Sequence, residues 1–178
     1  MKTKLTEKLA TVMIPTHNRP VFLQRSLEYW GQSNYNVFIA DSSTERYREA
    51  LPANCHYEHM PNVEYYTKCL EIVRKIDSKY IVPCADDDFH ALGGVDSAIK
   101  FLETHPSYST AKGRSIDFIF RNGELETYPI YTSDRDVGDK SLELRMQNSL
   151  FPWISNVWAG FRKEIYQLCK KYIPLAGQ

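Results

Sequence analysis

The sequence predicts an α/β protein: a mostly parallel sheet flanked by helices, with a β-hairpin in its second half. Three observations predict it. Short β-branched runs alternate with stretches of helical periodicity through residues 1–107. Each run ends in a polar turn. Further on, Asn122-Gly123 joins two strand-like segments, the strongest short hairpin signal, because the tight turn needs positive φ at both central positions.

In order, Ala10–Ile14 reads as a strand closed by Pro15. Asn18 is expected to cap a helix with Pro20 in its first turn, and Phe22, Leu23, Leu27 and Trp30 recur at helical spacing up to Gly31. Asn36–Ala40 is a second strand. Asp41-Ser42-Ser43-Thr44 follows as a polar turn that could cap a helix over Glu45–Ala50. Cys55–His59 is a weak third strand. Met60-Pro61-Asn62 leads into a helix with Val63, Tyr66, Leu70 and Val73 on one face. Tyr80–Cys84 is an apolar strand that runs into Asp86-Asp87-Asp88. Gly93-Gly94 precede a helix with Val95, Ala98, Ile99 and Leu102 inward. The second half holds the hairpin Ser115–Arg121 and Glu124–Ile130, a charged loop Asp134–Lys140, a helix Ser141–Leu150, a strand Ile154–Phe161 and a last helix Lys163–Tyr172. The whole reads as one domain, 1–178, with a break in character near Ser107–Tyr108.

Composition bounds the function. The 178 residues suffice for one sizeable core. Net charge is +0, from 22 basic and 22 acidic side chains, which gives no basic footprint for nucleic acid. Cys55, Cys69, Cys84 and Cys169 have no zinc spacing, and Cys69 and Cys84 lie in apolar segments, as buried free thiols do. That usage suits a reducing compartment. The first residues contain no apolar signal region, and no apolar run reaches bilayer length. A cytoplasmic location is expected, with peripheral membrane contact left open.

In a parallel sheet the turns after successive strands share one edge, and ligands bind there, at the switch in strand order. Thr16–Arg19, Asp41–Thr44 and Asp86–Asp88 should therefore meet. Three adjacent carboxylates are stable when solvated, or when they hold a hard cation through oxygen ligands. The residues alone leave both readings open. Asp41 could equally cap a following helix, and Arg19 could be a solvated turn charge. No histidine spacing suggests a metal site; His90 near the triplet reads as a rim residue.

The segments Thr11–Pro20, Phe38–Ser43 and Cys84–Phe89 resemble, in order and spacing, the successive motifs of family-two glycosyltransferases. The resemblance covers roughly residues 10–120, and Trp158–Glu164 extends it loosely. It implies a GT-A fold, Rossmann-like, in which residues 1–107 bind a nucleotide-diphosphate sugar, a UDP-sugar by expectation, and 108–178 form a partial acceptor-side half. It implies Mg²⁺ or Mn²⁺ on the diphosphate, stabilising the leaving group as a Lewis acid. The metal would be held through Asp86 and Asp88. An alternative register places Ala85 where the family's first aspartate belongs, so the division of the triplet between metal and ribose stays open. By the same resemblance Pro15 and Thr16 lie along the base, Arg19 near base or phosphates, and Asp41 accepts a hydrogen bond from the base. Asp86 and Asp87 face the donor, and Lys68 and Asn62 border the nucleotide. The implied reaction moves a sugar to the hydroxyl of a glycan or other acceptor, with inversion.

Inversion needs a general base. After Trp158–Glu164 no paired acids occur, and Glu164 itself suits a first helical turn. Asp117, Asp134, Asp136 and Asp139 remain by elimination, and the simplest expectation is that the chain is a fragment of a longer protein. Trp153 and Trp158 could stack on an acceptor sugar, although core packing is the default for Trp. Two other functions compete. A non-catalytic nucleotide-sugar binder would lack the base. A sugar nucleotidyltransferase would want a Gly-rich phosphate loop, and Ile14–Pro20 contains no glycine.

Overall fold

The computed structural model describes residues 9–130, 138, 140, 141, 143, 144 and 160–164. These fall into two compact units, one within Met1–Ala111 and Trp158–Gln178, the other within Lys112–Val157.

The first unit is built on a six-stranded sheet. Its elements are β1 (Ala10–Thr16), α1 (Pro20–Trp30), β2 (Asn36–Asp41), β3 (Cys55–His59), α2 (Tyr65–Lys75), β4 (Tyr80–Pro83), α3 (Leu92–Thr104), β5 (Thr110–Ala111) and, after the second unit, β8 (Gly160–Arg162). The strand order is β3-β2-β1-β4-β8-β5. β1 pairs in parallel with β2 and β4, and β2 with β3. β8 runs antiparallel between β4 and β5, so one strand departs from the uniform direction that the sequence suggests.

Alternation explains the layers. Val12, Ile14, Val37, Ile39, Tyr80 and Val82 face one side, where Leu23, Leu27 and Trp30 of α1 and Val95, Ile99 and Leu102 of α3 cover them. Met13, Phe38, Ala40 and Ile81 face the other, against Cys69, Ile72, Val73 and Ile76 around α2. Burying both faces requires strands that are apolar throughout, and β1 and β4 are. Gly31 ends α1 where a side chain would not fit. An added Cβ would lie 2.6 Å from both the Leu27 carbonyl and Pro52.

Several expectations need correction. β1 continues two residues past Ile14. Pro15 is tolerated because its missing N–H would point toward β4, whose pairing with β1 has already ended at Met13–Pro83. No helix forms over Glu45–Ala50, because six residues with no apolar face cannot stabilise one. α2 buries Lys68, Cys69, Ile72 and Val73, while Tyr66 is exposed. β5 appears where no strand is predicted.

The second unit contains the hairpin β6 (Ser115–Arg121) and β7 (Glu124–Ile130), with the register expected from its Asn-Gly turn. Asn122 has φ 54° and Gly123 φ 82°, the two positive values that the turn requires. Its side chains Ile116, Phe118, Phe120 and Leu125 are exposed, as is Asp117. Most of the expected helix over Ser141–Leu150, the start of the strand Ile154–Phe161 and most of the last helix lie outside the described residues. So do Cys169, Trp153, Trp158, Asp134, Asp136 and Asp139. Among the described residues, no helix is long and apolar enough to cross a membrane.

Candidate functional site

Strand order reverses at β1. From β1 the chain builds outward to β2 and β3 on one side, and to β4 on the other. The carboxyl ends of β1 and β4 flank this switch point, where a parallel α/β sheet opens a crevice. Here Thr16 and Arg19 meet Asp86 and Asp87.

Asp86 is 2% exposed and has a partner on each oxygen. Thr16 Oγ1 donates to Oδ2 at 2.6 Å, and Arg19 Nη1 lies 2.9 Å from Oδ1. The other Arg19 nitrogen, Nη2, donates to Asp87 Oδ2 at 2.6 Å. One guanidinium thus bridges two consecutive carboxylates, the planar fork geometry in which Arg excels. The Arg19 side chain is 39% exposed and that of Asp87 41%, so both are partly open to solvent. Burial pushes the Asp86 pKa up, while Thr16 and Arg19 oppose it. The hydrogen bond that Arg19 donates to Asp87 leads in pushing the Arg19 pKa further up, so it stays charged.

α1 braces the acidic turn from the side. Ser26 Oγ donates to the Asp86 carbonyl at 2.9 Å, and Arg25 Nη2 to the Asp87 carbonyl, also at 2.9 Å. Phe22 lies under both guanidiniums, 4.1 Å from Arg19 and 5.1 Å from Arg25, and Phe89 lies 5.0 Å from Arg25. Asp88 N closes the turn on the Ala85 carbonyl at 3.1 Å. His90, partly buried, donates through Nε2 to the Pro83 carbonyl at 2.8 Å. That bond ties it to the end of β4.

The end of β2 joins the same edge. Asp41, 2% exposed, accepts from Ser43 N at 2.8 Å, from Ser43 Oγ, and from Tyr57 OH at 2.6 Å. It closes its own turn and caps no helix. Asn18 is not the helix cap either. Arg19 holds that position without a side-chain cap bond, and Asn18 sits at φ 53°. Asn18 instead laces β1 to β2, taking Ser43 Oγ with its N–H at 2.7 Å and accepting from Thr44 N at 3.1 Å. His17 Nδ1 adds a bond to the Ser42 carbonyl at 2.9 Å.

Lys68 lies beneath these turns. It is 2% exposed, and Nζ donates to the Thr16 carbonyl at 2.5 Å and to Ser42 Oγ at 2.9 Å. Burial lowers its pKa, against the pull of Cys69, Asp41 and Asp86. Pro15 is partly exposed beside Thr16, and Asn62, at φ 60°, donates its N–H to the Ser42 carbonyl at 3.1 Å. The structure thus gathers Pro15, Thr16, Arg19, Asp41, Lys68, Asp86, Asp87 and Asp88 around one sheet edge. Sequence reasoning missed Ser26, Arg25 and Phe22. Their i, i+3, i+4 spacing from Phe22 on α1 was the available signal.

The donor chemistry suits a hard divalent cation, which takes one or two carboxylates and fills its shell with phosphate and water. Asp87 and Asp88 are partly exposed. Asp86 is already committed to Thr16 and Arg19. Among the described residues, no group of three or more acids, histidines or cysteines forms a ready-made cage. Cys69 and Cys84 are buried thiols that burial pushes up to about 11 and about 12, which makes them inert.

No protein-family model and no curated protein matches the chain. Solved structures do. Staphylococcus aureus TarS 1–349 overlays at a TM-score of 0.55 and 13% identity, covering 93% of this chain and 50% of that one. CMP:2-keto-3-deoxy-manno-octonic acid synthetase complexed with CTP overlays at 0.54 and 12%, covering 94% of this chain and 79% of that one. The mannosyltransferase PcManGT from Pyrobaculum calidifontis, in complex with GDP-Man and Mn²⁺, overlays at only 0.46 and 16%, on 57% of this chain and 34% of its own. At such identities the likeness is one of fold. The chain has a GT-A-like α/β fold.

Proposed function

We propose that the crevice between the ends of β1 and β4 binds a nucleotide-diphosphate sugar, and that the chain is the donor-binding part of a metal-assisted glycosyltransferase. The observation that carries this reading is the convergence of Thr16, Arg19 and the Asp triplet at the strand-order switch. Such a site offers a cation for phosphates and carboxylates for a metal, side by side. In this reading Pro15 lines the base, Asp87 faces the ribose, and Arg19 takes the diphosphate. Asp88, with Asp86, holds Mg²⁺ or Mn²⁺, which when bound neutralises charge on the leaving diphosphate. Asp41 and Lys68, both deeply buried, set the height of the β1 and β2 ends from below. UDP is the expected nucleotide and an acceptor hydroxyl the expected nucleophile.

Calorimetry of UDP with and without Mn²⁺ tests the reading. Binding should require the intact triplet, and Asp88→Ala should abolish the metal-dependent part. Unchanged affinity in that variant would refute the assignment. Hydrolysis of UDP-sugars then separates a transferase from a binder without catalysis. A sugar nucleotidyltransferase is the second reading, favoured by the overlay on the CMP-sugar synthetase across most of both chains. The glycine-free turn Thr16–Arg19 weighs against it. Pyrophosphate release from CTP or UTP with a sugar substrate would select it.

A further inference from the structure

We infer that Arg19 is a resident counter-cation that keeps a bare divalent ion out of the acidic turn and yields only to a cation arriving with a diphosphate. The inference rests on the proposed nucleotide-diphosphate site and deepens it. Four observations carry it. Arg19 spans Asp86 Oδ1 and Asp87 Oδ2 with separate nitrogens, at 2.9 and 2.6 Å. The second Asp86 oxygen is held by Thr16, so that carboxylate has no bare face for a cation while Arg19 stays. Arg19 is nonetheless 39% exposed, while Asp86 behind it is 2% exposed, so the guanidinium forms the outer layer. It rests on the Phe22 ring at 4.1 Å, a flat support across which a planar cation can slide and keep its stacking.

The charges give the sequence of events. The three carboxylates of the turn already have cations beside them: Arg19 on the Asp86 and Asp87 side chains, Arg25 on the Asp87 carbonyl and the Lys68 ammonium beneath. A divalent ion entering alone would sit within a few ångströms of a fixed positive charge and would compete with it for the same oxygens. A diphosphate changes both conditions. Its oxygens offer Arg19 a bidentate partner of equal quality, and they supply the remaining ligands of the ion. Arg19 therefore moves from carboxylate to phosphate as the ion moves onto the carboxylates. Arg25 stays behind, held by the Asp87 carbonyl and by the Phe22 and Phe89 rings, and keeps the turn in shape during the exchange. Arg19 is here a positioning residue whose release couples metal and nucleotide binding.

The test compares Mn²⁺ affinity, without nucleotide, in the wild-type chain, Arg19→Gln and Arg19→Lys, read from the electron spin resonance signal of free Mn²⁺. Arg19→Gln should bind Mn²⁺ at least about tenfold more tightly than wild type, and Arg19→Lys, which restores a point charge without the fork, should lie between them. UDP should strengthen Mn²⁺ binding in wild type by a larger factor than in Arg19→Gln. Equal or weaker Mn²⁺ binding in a folded Arg19→Gln overturns the inference. Should that variant fail to fold, the Nε–H resonance of Arg19 in the wild-type chain decides. It should shift with Mg²⁺ and UDP together and stay in place with Mg²⁺ alone; a shift with Mg²⁺ alone overturns the inference. Failure of UDP to bind any variant counts against the proposed function, and is read separately from the nucleotide-free comparison.

Discussion

Asp41 and Asp86 occupy equivalent places. Each follows an alanine, Asp41 as the last residue of β2 and Asp86 in the turn just beyond β4, and each is 2% exposed. Their partners differ. Asp41 is satisfied by Ser43, two residues on, and by Tyr57 of the neighbouring strand β3, all neutral donors fixed by local backbone. Asp86 draws its partners from 70 and 67 residues away, and one of them is a half-exposed cation. A carboxylate closed by its own turn has no reason to change state. A carboxylate whose charge is balanced by a movable side chain can exchange that partner for a ligand. The difference separates a support from a responsive site, although the two read alike in sequence.

Substitution should separate them in the same way, and the largest effect belongs to the support. Asp41→Ala strands the Ser43 N–H and hydroxyl and the Tyr57 hydroxyl, and should destabilise the chain by about 3 kcal/mol in urea unfolding. Asp86→Ala leaves Arg19 with Asp87 and near solvent. It should cost only about 1 kcal/mol of stability, yet lower UDP–Mn²⁺ affinity at least about a hundredfold. Equal stability losses would erase the distinction.

Single donors make a finer version of this test. Tyr57→Phe removes one bond to Asp41 and should cost about 1 kcal/mol without touching UDP affinity. Thr16→Val removes the matching bond to Asp86. It should cost a similar amount, and it should also weaken UDP–Mn²⁺ binding by roughly tenfold, since the carboxylate loses its aim. A Tyr57→Phe variant that also binds UDP poorly would show that both aspartates serve the ligand directly.

Much of this arrangement was legible in the sequence. β1, β2, β3 and β4 follow from β-branched and apolar runs, the hairpin from Asn122-Gly123, and the meeting of three turns from parallel topology alone. What was hidden depends on tertiary partners. The resemblance gives Lys68 only as a residue bordering the nucleotide, and packing against β1 and β2 is what reveals a buried ammonium tying Thr16 to Ser42. Asn18 has the composition of a helix cap, but Ser43 and Thr44 outcompete the helix for its polar groups. The pairing of Arg19 with Asp86 spans 67 residues and carries no local signature. β5 is two residues long, too short for periodicity to register.

Glu103 supplies a third carboxylate and the smallest expected effect. It sits on α3 at the opposite end of β4 from Asp86, 35% exposed, 2.5 Å from Lys79 Nζ and bonded to the Tyr80 hydroxyl. These two partners, Lys79 first, hold its pKa below the ordinary 4.5. The unfolded chain therefore binds the proton more readily. The stabilisation is present above pH 4.5 and is lost as pH falls through the lower folded value. Solvent screening at this exposure limits it to at most about 0.5 kcal/mol. Glu103→Gln should match wild type in stability well below pH 4, fall slightly behind it at neutral pH, and recover much of the difference in 1 M salt, where the Debye length is about 3 Å. UDP affinity should not change at any pH where the chain is folded. A change would mean that the amino end of β4 communicates with its carboxyl end, and that the responsive region extends beyond the partners Asp86 borrows from β1 and α1.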